Sequence, residues 1–117
     1  MKSLVVVVMM AMFLVIGCMN MPTKPSQISA SYTSEMVYKD HDCDELAVEL
    51  NHLARRENQL IIAQEQRIKT SEMQAFWYGY GQGDGIEASE LANVKGQKES
   101  VRRAMELKNC QLNAKKE

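Results

Sequence analysis

Hydrophobic and polar residues divide the chain into unlike stretches. Residues 4–17, LVVVVMMAMFLVIG, are an uncharged, apolar run. Residues 19–34, MNMPTKPSQISASYTS, are small, polar and punctuated by proline, and read as a flexible tether. From residue 42 the apolar positions take up helical periodicity. Leu46, Leu53 and Leu60 step by seven, as do Ala47, Ala54, Ile61 and Ile68, which makes a two-column stripe on one face. Asp42 and Glu45 have capping-box spacing, and no proline or glycine interrupts residues 42–78. A helix is expected over about 42–76. YGYGQGDG at 78–85 then places four glycines within seven residues and stops it. Asp84 and Glu87 repeat the capping-box spacing and open a second helix, about 85–112. Its stripe is Leu91, Val94, Val101, Met105 and Leu112, extended by Ala88 and Ala104. Gly96 costs this helix about 1 kcal/mol against alanine, unless it admits a close neighbour, for which the first helix is the candidate. Residues 34–40 have room for one more turn of helix, and the pattern leaves them undecided.

The opening run ends in Leu14-Val15-Ile16-Gly17-Cys18 and follows a basic start, Met1-Lys2-Ser3. It suits a secretory h-region and falls short of the roughly 20 residues that span a bilayer. LVIGC resembles the lipobox of bacterial lipoprotein precursors, a resemblance that covers residues 1–18. It implies that residues 1–17 are a signal peptide and that the Cys18 thiol carries diacylglycerol through a thioether. Cleavage after Gly17 would free the Cys18 amine for a further acyl chain. Two or three chains anchor stably, at about 0.8 kcal/mol per buried CH₂. Met19 is not the aspartate that commonly retains such proteins at the inner membrane, which implies the outer membrane, on its periplasmic side.

With Cys18 lipidated, Cys43 and Cys110 remain as an even pair in an oxidising compartment, and a disulfide between them is expected. That bond sets the start of the first helix beside the end of the second, as an antiparallel hairpin does. Charge agrees. Residues 35–49 carry Glu35, Asp40, Asp42, Asp44, Glu45 and Glu49 against Lys39, whereas Lys95, Lys98, Arg102, Arg103, Lys108, Lys115 and Lys116 dominate the other end. The fold expected is all-α: a tether at 18–34, then a coiled-coil-like antiparallel two-helix hairpin at 35–117, stapled by one disulfide. Glu57, Gln64 and Lys98 interrupt the stripes and favour a modest seam within one chain. A coiled coil between copies, or a homo-oligomer that completes the seam, is the alternative. Pairing Cys43 with Cys110 sets Ile86 across from Arg67 and leaves residues 68–85 overhanging.

A net charge of −1 over 117 residues supplies no field to recruit nucleic acid. Beyond the opening run the chain is polar and too small for a large core. Yet the overhang holds Phe76, Trp77, Tyr78 and Tyr80, four of the seven aromatic residues. They form a candidate contact tip for protein or lipid, or else they fold back over Ile68 and Ile86 and cap the hairpin. No cofactor is expected. GYGQGDG fails the G-x-G-x-x-G spacing and follows a helix rather than a strand, and a lone Asp84 makes no calcium loop. HDCDE at 41–45 invites a metal, but no second Cys or His stands at ligand spacing, so no metal site is expected. His41 and His52 read as solvated. No Ser/His/Asp, Cys/His or paired-carboxylate arrangement stands out, which argues against an enzyme.

Trp77, Gly83-Asp84-Gly85, Glu90-Leu91-Ala92, Lys95-Gly96, Lys108 and Cys110 resemble a group of small, uncharacterised proteobacterial lipoproteins, which implies an envelope location and no function. The expected protein is a non-enzymatic, membrane-anchored envelope lipoprotein with a structural or interaction role. Its partners would be membrane lipid, through Cys18, and an envelope protein at the tip. An exclusion lipoprotein of a phage or conjugative element is the other reading that small size and an anchor permit.

Overall fold

The computed structural model describes residues 1–15 and 20–110, so Cys18 and Leu112 lie outside the described residues. The apolar start is helix α1, Lys2–Val15. No helix among the described residues is long and apolar enough to cross a membrane.

Helix α2, Cys43–Tyr78, starts as its spacing predicts. Asp42 accepts the Glu45 amide at 2.8 Å, and the Glu45 carboxylate accepts the Asp42 amide at 3.0 Å. Gly79, at φ 83°, closes the helix by donating its amide to the Ala75 carbonyl at 2.9 Å. Helix α3, Ile86–Leu107, lacks the capping box expected for it. Gly85, with no side chain to offer, is its cap, and Asp84 and Glu87 are engaged elsewhere. The helix also stops at Leu107 rather than near residue 112. Asn109 turns left-handed at φ 52°, and the Cys110 amide reaches back to the Met105 carbonyl at 2.9 Å. That turn swings Cys110 onto the start of α2, where it forms a disulfide with Cys43 across a Cα separation of 5.5 Å.

Every regular element among the described residues is a helix, and α2 and α3 pack as an antiparallel pair. Leu46, Leu53 and Leu60 are buried against Leu91, Val94, Val101, Ala104 and Met105. The second column of the α2 stripe lies at the seam's edge, with Ala54, Ile61 and Ile68 half-buried and Ala47 exposed. Tyr38 joins the core from a 3₁₀ turn, Glu35–Tyr38, which Ser34 caps through its hydroxyl. The polar interruptions are matched within the chain. Lys98 pairs with Glu57, and fully buried Gln64 donates to the Thr23 carbonyl at 2.8 Å and to Asp84 at 2.9 Å.

Residues 20–34, expected as a free tether, lie instead along the helix pair. The Ser31 amide donates to the Ala92 carbonyl at 2.9 Å. Lys95 donates to the carbonyls of Pro25, at 2.6 Å, and Ile28, at 2.8 Å. Gly96 does admit a close neighbour, but that neighbour is this segment and not α2. A Cβ at Gly96 would fall 1.8 Å from the Ser31 carbonyl oxygen. The polar segment docks because fixed donors and acceptors on α3 replace the water around its backbone.

Two stability predictions follow from this packing. Gly96→Ala gains about 1 kcal/mol of helix propensity but forces Ser31 off α3. A net loss of about 1–3 kcal/mol is expected, as for overpacked sites, read as a lower urea midpoint with faster proteolysis within residues 20–34. Replacing Cys43 and Cys110 together by serine lowers stability by about 4 kcal/mol through the lost loop constraint, measured by the same urea titration.

Candidate functional site

Three segments meet where α3 begins. Asp84 accepts the Thr23 amide at 2.6 Å and the Thr23 hydroxyl at 2.5 Å, and Gln64 bonds to both residues. The Gly83 amide donates to the Asn20 carbonyl at 2.7 Å. Gly83 has φ 70°, and a Cβ there would lie 2.4 Å from the Asn20 side-chain nitrogen, so only glycine fits. Arg67 reaches Glu87 at 3.1 Å and Gln82 at 3.3 Å. The register set by the cysteines therefore holds to within about a residue at the far end of α3. The loop at 79–85 does not extend the overhang. It runs back along α2, where the Gln82 amide donates to the Ser71 hydroxyl at 3.3 Å.

Burial opposes the charge on Asp84. The Thr23 hydroxyl and amide, the Gln64 amide and the Arg67 charge outweigh that effect and hold its carboxyl below the ordinary aspartate value. Glu87 is also lowered, first by a hydrogen bond from its own backbone amide and then by Arg67.

Past Arg67, α2 continues for 11 residues to Tyr78, or about 16 Å at 1.5 Å per residue. Phe76, Trp77, Tyr78 and Tyr80 are 81, 72, 74 and 65% exposed. Phe76 and Trp77 meet edge to face with ring centres 5.3 Å apart. The aromatics do not fold back over Ile68 and Ile86. Small residues make the contact between loop and helix instead: Ser71, Ala75 and Gly81 are buried. Met73 and Ile86, 66 and 69% exposed, enlarge the apolar surface at this end. A shallow depression runs along α2 here, lined by Lys69, Thr70, Met73, Gln74, Trp77 and Tyr78.

The N-terminal segment has a direction that the sequence reading missed. Ser31 lies beside Ala92, Pro25 and Ile28 beside Lys95, Thr23 beside Gln64, and Asn20 beside Gly81 and Gly83. Read toward the N-terminus, the chain climbs to the tip end of the hairpin. Gly96 was the one sequence signal of this docking, and nothing local to it names Ser31 as the neighbour.

The sulfur in HDCDE is committed to the disulfide, and among the described residues no three His, Cys, Asp or Glu side chains gather as a metal site. His52 is exposed. His41 is packed rather than solvated: its ring lies 5.6 Å from that of Tyr38, and its buried Nδ1 has no hydrogen-bond partner.

The lowered pKa of Asp84 gives a pH prediction with a definite sign. A carboxylate more acidic in the folded state leaves the unfolded chain binding more protons, so its contribution is present above the unfolded value, about 4. It fades as pH falls through the lower folded value. Asp84→Asn should lower the urea midpoint at neutral pH and flatten the decline in stability below about pH 4, measured by parallel urea titrations of both proteins across that range.

No family model, curated protein or solved structure matches this chain.

Proposed function

We propose that this chain is a non-enzymatic lipoprotein of the bacterial cell envelope, anchored through acylated Cys18 and acting through contacts at the tip of its hairpin. The observation that carries the reading is the group of four aromatic side chains, 65–81% exposed, at one end of a helix pair whose other end is closed by a disulfide. Clustered rings in water mark a surface that something covers. The frame behind them is tied by the Gln64–Asp84–Thr23 bonds and the Arg67–Glu87 pair, so the tip is presented without a folding step on contact. LVIGC supplies the anchor, and the disulfide suits an oxidising compartment. The carboxylates at the start of α3, Asp84 and Glu87, are lowered and hydrogen-bonded, which suits structure rather than proton transfer near neutral pH.

Two measurements test this reading. Cys18→Ser should move the protein from the membrane fraction to the soluble fraction, and unchanged membrane recovery would reject lipid anchoring. A photocrosslinking amino acid in place of Trp77 should capture an envelope component in intact cells, and no capture of protein or lipid would reject the tip as a contact site.

A further inference from the structure

We infer that what covers the tip is the membrane itself: the aromatic end of the hairpin docks on the surface of the leaflet that holds the anchor, and the disulfide end points away from it. The inference rests on the anchored reading above and specifies the partner of the same tip.

Covalent reach carries the argument. Asn20 is held at the loop by the Gly83 amide at 2.7 Å, with its side chain against Gly83 and its carbonyl against Gly81. Thr23, three residues on, is held by Asp84 and Gln64. Cys18 precedes Asn20 by two residues, a span of at most about 7 Å. The acyl chains therefore leave the protein beside the tip loop. Helix α2 is 36 residues long, about 54 Å. An anchor at its disulfide end would hold the tip far from the bilayer, whereas an anchor at Asn20 brings it to the headgroups.

The chemistry of the tip suits that depth. Trp77, Tyr78 and Tyr80 carry both an apolar ring and a polar edge, the combination that settles at membrane–water interfaces. Phe76 and Met73 add apolar surface. Residues 68–81 contain one base, Lys69, and one acid, Glu72, so the projecting part offers no net repulsion to anionic headgroups. A protein partner would have to enter between the tip and the bilayer. The docked N-terminal segment, moreover, removes the slack that would let the hairpin swing away.

Trp77 is the only tryptophan in the chain, so its fluorescence reports on the tip alone. The full-length processed protein is reconstituted into phosphatidylethanolamine–phosphatidylglycerol vesicles containing lipid brominated near the glycerol backbone. Quenching of Trp77 by the brominated lipid is expected, with several-fold weaker quenching by iodide than for a probe at the far end. That probe is Val48→Trp in a Trp77→Phe background; Val48 is 57% exposed near the disulfide. Equal iodide access at both positions, without bromine quenching of Trp77, overturns the inference. Crosslinking from position 77 in cells should yield phospholipid, and capture only of an envelope protein or a second copy also overturns it. Mass spectrometry of the same preparation separates the two claims. A lipidated Cys18 with a water-exposed Trp77 removes the inference alone, whereas an unmodified Cys18 removes the anchored reading and the inference with it.

Discussion

A seam between two helices is too narrow to hold this chain in one arrangement by apolar burial alone. On α2 only Leu46, Leu53 and Leu60 supply large buried side chains, and beyond them the buried positions are Gln64, Ser71 and Ala75. Small chains with such thin cores need further constraint. Here it comes from the Cys43–Cys110 bond at one end and from residues 20–38 laid along the pair, with Tyr38 completing the core.

Polar residues set the register that leucines leave loose. Gln64 is fully buried, and its side-chain NH₂ finds both acceptors only when Thr23 and Asp84 are in place, while its Oε1 has no partner. A buried polar group left unpaired costs about 1–3 kcal/mol, so a slipped helix or an undocked N-terminal segment is penalised at that point. Glu57 with Lys98, and Arg67 with Glu87, repeat the logic at two further levels of the hairpin. The interruptions of the apolar stripe are thus matched to one another and to the chain's own N-terminal segment, which accounts for a seam that closes within a single copy.

The docked segment also changes what an anchor would mean. A flexible linker leaves a domain free to turn against the membrane, whereas a segment bonded at Asn20, Thr23, Pro25, Ile28 and Ser31 carries the orientation of its first residue to the whole hairpin. In the anchored reading proposed here, the aromatic tip and the acylated residue would share one end because the segment runs from the tip toward the disulfide. In that reading, the position and direction of a polar segment are the features on which the proposed role would depend.

The Asp42–Glu45 cap, the α2 stripe, the pairing of Cys43 with Cys110 and the placing of Arg67 at the start of α3 were all legible before the structure. Each rests on spacing within one helix or on the match of two ends. Asp84 and Glu87 show where such reading stops. They have the same spacing as Asp42 and Glu45 yet form no capping box, because Thr23, 61 residues away, holds Asp84 and Arg67, 20 residues away, draws Glu87. The glycine at 96 was visible, but its neighbour Ser31 was not, and the tip aromatics could be located but not called exposed until Ser71, Ala75 and Gly81 were seen to fill the contact beneath them. The sequence alone determined where helices run and how their ends align, since periodicity and caps act over a few residues. Only the tertiary structure decided where the polar N-terminal segment lies and which end of the hairpin it reaches, since those bonds join residues up to 70 positions apart that carry no mark of one another.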